Sequence, residues 1–224
     1  MPTPRQLALA LGHDESFARE DFLAGPQNAA ALALIERWPE WPARTMLLVG
    51  PEGSGKSHLA AIWAARSAAR TISARELDQT SVPDVLAAGA LAVEDLATWH
   101  VEERALFHLL NLAREQSAHL LFTSRSLPAA WPVQLPDLVS RLREIPVVTL
   151  EPPDDALLRA VLVKLFADRQ LAVDESLIAY LVTRMERSFA AARAAVAALD
   201  REALRQQRPV TRALASELFR DTME

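Results

Sequence analysis

The chain has 224 residues, of which 50% are hydrophobic and 24% charged, and its formal net charge is −5. This composition is typical of a globular protein with one substantial core, or a core and a smaller satellite domain. The acidic total argues against DNA as the main partner, because phosphate contacts supply most of the affinity of nucleic-acid binders. The absence of cysteine excludes disulfides, thiolate metal sites and cysteine nucleophiles.

The N-terminal apolar run is too short for a signal peptide, and no stretch approaches the ~18–20 apolar residues of a membrane-spanning helix. We therefore predict a cytoplasmic protein with no membrane partner.

The first half of the chain alternates strand and helix patterns. Buried strands are predicted at Thr45–Val49, Ala90–Leu96, His119–Ser124 and Pro146–Leu150. Helices are predicted between them, at Lys56–Ala69 and Val101–Gln116. Such alternation predicts an α/β fold with a parallel sheet covered by helices.

The pattern changes after Pro152 and Pro153, where strands stop. Helices are predicted from an Asp154 cap to about Arg169, and then over residues 173–186, 187–207 and 211–219. The sequence thus predicts an α/β core followed by a small helical domain, with the boundary near Glu151.

The most informative motif is the phosphate-loop pattern Gly-x4-Gly-Lys-Ser, which lies between a predicted strand and a predicted helix. Its glycines let backbone N–H groups turn toward phosphate oxygens, Lys56 offers a charge to the β- and γ-phosphates, and Ser57 offers a hydroxyl to Mg²⁺. This context favours nucleotide binding over a glycine turn with an exposed lysine. The predicted nucleotide-binding residues are Gly50, Pro51, Glu52, Gly53, Ser54, Gly55, Lys56, Ser57 and His58.

Polar residues follow two of the predicted strands. Glu94 and Asp95 end a strand that we expect beside the phosphate-loop strand, where either can hold the Mg²⁺ water shell; the alternative is a cap or a salt bridge. Thr123 and Ser124 end the next strand, where a hydroxyl can sense the γ-phosphate or orient water. A simple strand-terminal turn explains either residue alone almost as well.

Arg141 and Arg143 lie just before the last predicted strand. An arginine here can reach a neighbouring subunit's nucleotide as a finger, although spacing alone favours an ordinary surface helix arginine.

The stretches GPEGSGKSHL, TSRSLP and LVSRLRE…VTLEPPDD resemble, in this order, the AAA+ ATPases and among them the DnaA-like initiators of bacterial replication. The resemblance covers about Phe17 to the C-terminus. It implies a P-loop AAA+ core with a parallel five-stranded sheet over residues 17–151, and a small α-helical lid over 152–224. It also implies ADP or ATP with Mg²⁺, and Phe22, Leu23 and Gly25 bordering the adenine.

The N-terminal hexapeptide QLALAL is similar to the short peptide by which many bacterial proteins dock on the replicative sliding clamp. Residues 1–16 would then be a clamp-binding segment, with its contacts at Gln6, Leu7, Leu9 and Leu11. The alternative is the end of an ordinary strand or helix. We expect no DNA-binding domain after the lid, unlike in the initiators.

These features together resemble the DnaA-related regulators of the Hda or HdaA type, which inactivate the initiator. The resemblance implies that Arg141 is a finger acting in trans on DnaA-bound ATP, and that the partners are DnaA and the DNA polymerase III sliding clamp. A finger needs a neighbour, which is the initiator or a second copy of this chain. Sequence-specific DNA binding is not expected.

Two departures from the family pattern predict weak ATP hydrolysis by the chain itself. The acidic pair is Glu94-Asp95, where the motors have Asp-Glu and the initiators Asp-Asp. The lid arginine of the initiators falls on Ala190, with Arg187 and Arg193 one turn away on either side.

The sequence is also compatible with two alternative functions. One is a helicase-loader-like or remodelling ATPase, whose own turnover would depend on Glu94 or Asp95. The other is a DNA-binding replication factor with contacts at Arg201, Arg205, Arg208 and Arg212, for which the acidic total favours a solvated helix face instead.

Overall fold

The computed structural model describes residues 17–96 and 102–219. These residues form two compact units, which divide between Pro153 and Asp154. The first unit contains the sheet, and the second contains helices.

The first unit has a five-stranded sheet in the order β2-β3-β4-β1-β5, in which every neighbouring pair is parallel. Its strands are β1 Thr45–Val49, β2 Arg70–Ser73, β3 Ala90–Glu94, β4 His119–Ser124 and β5 Val147–Thr149. Its helices are α1 Ala29–Arg37, α2 Lys56–Ser67, α3 Val82–Leu86, α4 Glu103–Glu115 and α5 Pro136–Glu144.

Apolar side chains cover both faces of this sheet, which is why its central strands are continuous apolar runs. Because neighbouring residues of a strand point to opposite faces, Leu47 and Phe122 join one buried cluster while Leu48 and Leu121 join the other. The predicted α/β fold with helices flanking a parallel sheet is therefore confirmed.

The element boundaries differ from the predicted ones where the backbone turns left-handed. β3 ends at Glu94, two residues early, because Asp95 has a φ of 56°. α2 ends at Ser67 because Ala68 has a φ of 55°. The sequence pattern did not identify β2, a short strand at one edge of the sheet whose first two residues are exposed.

The expected adjacency of the acidic strand and the phosphate-loop strand is wrong. β4 lies between β3 and β1, and it pairs with both. The carboxyl ends of all three strands still meet at one edge of the sheet, because the strands are parallel. Thr123 and Ser124 therefore lie between the acidic residues and the phosphate loop.

The second unit contains α6 Asp155–Asp168, α7 Glu175–Arg184, α8 Phe189–Gln206 and α9 Arg212–Leu218. Each helix begins after a side chain that accepts a hydrogen bond from a backbone amide of its first turn, and these caps are Asp154, Asp174, Ser188 and Thr211. All four predicted helices are present, and each is shorter than its predicted range.

The predicted position of Arg187 within a helix is wrong. Ser188 caps α8, so Arg187 precedes the helix and does not lie one turn from Ala190 along it. Its guanidinium forms an ion pair with Asp155, with Nη2 and Oδ1 2.9 Å apart. Arg193 does lie within α8.

Among residues 17–96 and 102–219, no helix combines the length and the apolar character needed to cross a membrane.

Candidate nucleotide-binding site

The phosphate loop joins β1 to α2 and closely approaches the end of β5. Gly55, at the N-terminus of α2, has a φ of 97°, which a residue with a side chain adopts only at a cost. A Cβ atom on Gly50 would lie 2.7 Å from the carbonyl oxygen of Leu150. Glycine is therefore required at two points of the loop for two different reasons.

Lys56 is buried at the start of α2, and its amine points back into the loop. Nζ donates hydrogen bonds to the carbonyl oxygens of Gly50 at 2.9 Å and Pro51 at 2.8 Å. Burial lowers the pKa of this amine, while Asp95 raises it. The loop thus holds a cation whose partners are neutral carbonyls, as a site for an anionic ligand requires.

Two buried oxygen atoms near the loop have no hydrogen-bond partner among the described residues. They are Oγ of Ser54, inside the loop, and Oε1 of Glu94, at the end of β3. Buried polar atoms are normally paired, because leaving one unpaired costs free energy. A carboxylate oxygen and a hydroxyl beside a buried lysine fit a Mg²⁺–nucleotide complex, in which phosphates supply most of the metal ligands.

No group of three acidic or histidine side chains within the described ranges could hold a metal ion by itself. Ser57, the other predicted magnesium ligand, is exposed at the first turn of α2.

Both hydroxyls at the end of β4 are buried and form hydrogen bonds. Thr123 Oγ1 accepts from the backbone amide of Asp95 at 3.0 Å. Ser124 Oγ donates to the carbonyl oxygen of Ser126 at 2.8 Å and accepts from the amide of Ser126 at 3.2 Å. Thr123 therefore supports the acidic turn and Ser124 the turn that follows β4, while their sensing role stays a prediction.

Asn28 and His58 contact the segment predicted to border the adenine, which contains Phe22, Leu23 and Gly25. Asn28 is buried, accepts a hydrogen bond from the amide of Gly25 at 2.8 Å and donates one to the carbonyl oxygen of Leu23 at 3.1 Å. The ring of Phe22 meets that of His58 edge to face, with 5.2 Å between centroids. Because His58 follows Ser57 directly, this contact joins the border segment to the helix of the phosphate loop.

Arg141 lies on α5, and its guanidinium carbon lies 6.0 Å from the centroid of the Phe107 ring on α4. Its side chain is partly exposed and forms no ion pair with any residue that the structure describes. The structure places it on a different element from the phosphate loop.

Three residues of the α/β unit have structural roles that were not predicted from the sequence. Asn28 holds the border segment, and Arg125, directly after β4, forms an ion pair with Glu52 of the loop at 2.6 Å. Glu103 accepts hydrogen bonds from the amides of Gln134 at 3.0 Å and Leu135 at 2.8 Å, which tether the start of α5 to α4. Only Arg125 had a sequence signal, its place in TSRS next to the predicted sensing residues.

The predicted clamp contacts Gln6, Leu7, Leu9 and Leu11 lie outside the described residues.

Two of the four arginines in the DNA-binding reading are neutralised within their own unit. Arg205 donates to both carboxylate oxygens of Glu202, and these hydrogen bonds, with a further one from Gln206, lower the pKa of Glu202 to about 2. Arg208 lies 3.2 Å from a carboxylate oxygen of Glu217. This pairing does not support a cationic face for nucleic acid.

No protein-family model matches the chain. The chain is 30% identical over 181 residues to the chromosomal replication initiator protein DnaA of Caulobacter sp. (strain K31). The aligned region is 70% of this chain and 36% of that relative, so the chain spans about a third of the initiator.

Solved structures share the fold at lower sequence identity. Domain III of the Thermotoga maritima replication initiation protein DnaA has a TM-score of 0.75 and 18% identity, over 93% of this chain and 97% of that one. AMPPCP-bound DnaA from Aquifex aeolicus has a TM-score of 0.67 and 18% identity, over 85% and 69%.

The RuvB Holliday junction branch migration motor of Thermotoga maritima has a TM-score of 0.69 and 15% identity, over 92% of this chain and 72% of that one. The chain thus has a phosphate loop, the fold of the AAA+ P-loop domains of DnaA and RuvB, and a sequence similar to part of DnaA.

Proposed function

We propose that this chain is a nucleotide-binding AAA+ adaptor of the Hda type, which promotes hydrolysis of the ATP bound to DnaA. In this proposal it docks on the replicative sliding clamp through the segment from Gln6 to Leu11 and thereby prevents repeated initiation of replication. Sequence similarity to part of DnaA supports the proposal, because it relates this chain to the protein on which we propose it acts.

The proposal rests mainly on the exposure of Arg141 and on its lack of an acid partner among the described residues. Arg141 is partly exposed, its guanidinium carbon lies 6.0 Å from the centroid of the Phe107 ring, and it has no carboxylate partner among the described residues. Arg205 and Arg208, by contrast, each form an ion pair with a carboxylate of their own unit. A guanidinium beside an aromatic ring, with no acid partner in the part of the chain that the structure describes, can bind a phosphate of another molecule.

The chain's own nucleotide would be held by the phosphate loop, with Lys56 on its phosphates and Ser57 and Glu94 toward Mg²⁺. Bound Mg²⁺ would neutralise phosphate charge. Because such a ligand binds only the folded protein, the nucleotide stabilises the α/β unit by mass action. Glutamate at position 94 reaches one methylene farther than aspartate, which supports slow turnover at this site.

The test is single-turnover hydrolysis of DnaA-bound ATP in the presence of clamp-loaded DNA. Arg141→Ala should fold normally and lose the stimulation, by about 10³-fold for a complete trans finger. Arg143→Ala is the matched control, since Arg143 is an exposed arginine on the same helix, and it should keep most of the stimulation. Equal stimulation by Arg141→Ala and the parent protein would refute the role of Arg141.

Deletion of residues 1–12 separately tests the clamp contact. We expect the truncated protein to lose stimulation on clamp-loaded DNA and to lose clamp binding in a pull-down with purified clamp. Unchanged stimulation and unchanged clamp binding would refute this part of the proposal and leave the role of Arg141 standing.

A second candidate function is an ATPase with its own turnover, in the manner of a helicase loader or a remodelling motor. The buried Glu94 Oε1, which has no hydrogen-bond partner among the described residues, favours it, since an acidic residue at the end of this strand can assist hydrolysis. Steady-state ATPase assays of the isolated protein separate the two candidates. Brisk turnover that is lost in Glu94→Gln supports the motor, and turnover near background supports the adaptor.

A further inference from the structure

A carboxylate of the phosphate loop and a cation from the neighbouring strand end meet directly. Nη1 of Arg125 lies 2.6 Å from Oε2 of Glu52. Glu52 occupies a variable position of the loop pattern, where no side chain is needed to bind phosphate through the backbone. The pair therefore requires an explanation beyond the general design of a phosphate loop.

The backbone holds Arg125 beside the loop. β4 pairs with β1 up to Val49 and Ser124, and the amide of Gly50 donates to the carbonyl oxygen of Ser124 at 3.1 Å. The Ser124 hydroxyl then bridges to both backbone groups of Ser126, so the residues on both sides of Arg125 are fixed. Only the side chain of Arg125 is left to move.

The pair belongs to the same electrostatic environment as the loop lysine. Burial is the main cause that lowers the pKa of the Lys56 amine and Asp95 raises it, while Arg125 lowers it further and Glu52 raises it. Lys56 and Arg125 are thus two cations surrounded by the carboxylates of Glu52, Glu94 and Asp95. A phosphate group entering the loop would meet both cations.

The ion pair contributes little to folding, because 52% of the Arg125 side chain and 69% of the Glu52 side chain are exposed. A guanidinium binds phosphate with two parallel hydrogen bonds, and a doubly charged terminal phosphate attracts it more strongly than a single carboxylate does. Replacement of the Glu52 carboxylate by a terminal phosphate as the partner of Arg125 therefore changes the folding free energy little and gains electrostatic free energy.

We propose that Arg125 is the residue that distinguishes a nucleoside triphosphate from a diphosphate in this chain, and that Glu52 is a tethered competitor for it. The Glu52 carboxylate holds Arg125 until a terminal phosphate displaces it. In a diphosphate complex Arg125 remains on Glu52. This inference rests on the proposed nucleotide binding and adds a selectivity mechanism to it.

The two side chains should have opposite effects on affinity. Arg125→Gln removes the charge-assisted contact with the terminal phosphate, which should weaken triphosphate binding about tenfold and change diphosphate binding less than twofold. Glu52→Gln removes the competitor and should strengthen triphosphate binding about threefold. In the double variant, Glu52→Gln should have no further effect, because its effect acts through Arg125.

The experiment is isothermal titration calorimetry of the full chain with ATPγS and with ADP, each with Mg²⁺. Arg114→Gln is the matched control, as an exposed arginine at the far end of α4, and should leave both affinities unchanged. Lys56→Ala tests the site itself and should abolish binding of both nucleotides. Thermal unfolding of each variant confirms that it folds, as expected for an exposed pair.

The outcomes separate this inference from the proposed function. If the parent binds neither nucleotide, the proposed nucleotide site is refuted, and this inference with it. If the parent binds both nucleotides and Arg125→Gln weakens both equally or neither, only the inference is overturned. Selective loss of ATPγS affinity in Arg125→Gln, with tighter binding in Glu52→Gln, establishes it.

Discussion

The backbone amide of Asp95 donates a hydrogen bond to the hydroxyl of Thr123 at 3.0 Å, which joins the acidic turn after β3 to the end of β4. Asp95 has a left-handed φ of 56°, so the turn depends on this support. The bond fixes Asp95 and its neighbour Glu94 relative to the strand that pairs with the phosphate-loop strand. A residue predicted to sense phosphate thus also positions the acidic pair.

Thr123→Val should destabilise the α/β unit by about 1–2 kcal/mol, because it keeps the shape of threonine but leaves the Asp95 amide without an acceptor. Thr123→Ser keeps the hydroxyl and should recover most of that stability. Urea unfolding of both variants and the parent measures the difference. Equal stabilities for the valine and serine variants would contradict the importance of this bond.

Glu103 should control the position of α5, and through it that of Arg141. Its carboxylate accepts from the amides of Gln134 and Leu135 at the start of that helix. Glu103→Ala leaves both amides unpaired and should cost about 1–3 kcal/mol of unfolding free energy. Hydrogen exchange at these two amides should be faster in the variant.

The matched control for this test is Glu102→Ala. Glu102 is exposed, lies one residue earlier and makes no capping hydrogen bond through its side chain. It should keep the parent's stability and its exchange rates at Gln134 and Leu135. Faster exchange in both variants would point to a general effect of the α4 N-terminus and would contradict the tether.

Gly50→Ala should destabilise the unit because the new Cβ would lie 2.7 Å from the Leu150 carbonyl oxygen and 3.1 Å from its Cβ. We expect a loss of about 1–3 kcal/mol, as for overpacking elsewhere in proteins, together with weaker nucleotide binding. Thermal unfolding and nucleotide titration measure the two effects.

Gly89→Ala is the contrasting variant for Gly50→Ala. Gly89 has a φ of 73° and nothing within 4 Å of a built Cβ, so its cost is conformational only and about 1 kcal/mol. Nucleotide affinity should not change in this variant. If Gly89→Ala lowers the stability more than Gly50→Ala does, the close contact between a Cβ at position 50 and Leu150 is not the main cost of substitution.

His119 should make the stability of the α/β unit depend on pH. Burial, with a smaller contribution from Arg44, lowers the pKa of His119 below its ordinary value near 6.5. The unfolded chain therefore binds the proton more readily, and stability is lost as the pH falls through 6.5 toward the folded pKa. His119→Phe should remove this part of the pH dependence.

The measurement is urea unfolding at pH 7.5, 6.5 and 5.5, with tryptophan fluorescence as the signal that monitors unfolding. The rings of Trp38 and Trp41 lie 5.9 and 6.1 Å from that of His119, so both indoles report on its surroundings. An identical loss of stability on acidification in the parent and the variant would exclude His119 as the source.

The features that the sequence alone determined are those encoded by neighbouring residues. A continuous apolar run such as Thr45–Val49, a loop pattern such as Gly50–Ser57 and a cap such as Asp154 each act within a few residues, so local chemistry specifies them. This is why the phosphate loop, the main strands and the helices of the second unit could be predicted.

The tertiary structure decided what distant segments do to one another. It inserted β4 between β3 and β1, paired Arg125 with Glu52, and placed the Thr123 hydroxyl under the Asp95 amide. It also added the edge strand β2, whose short and partly exposed sequence has no strong pattern of its own. These contacts depend on strand order and register, which arise from packing the whole core and leave no mark in a local window of sequence.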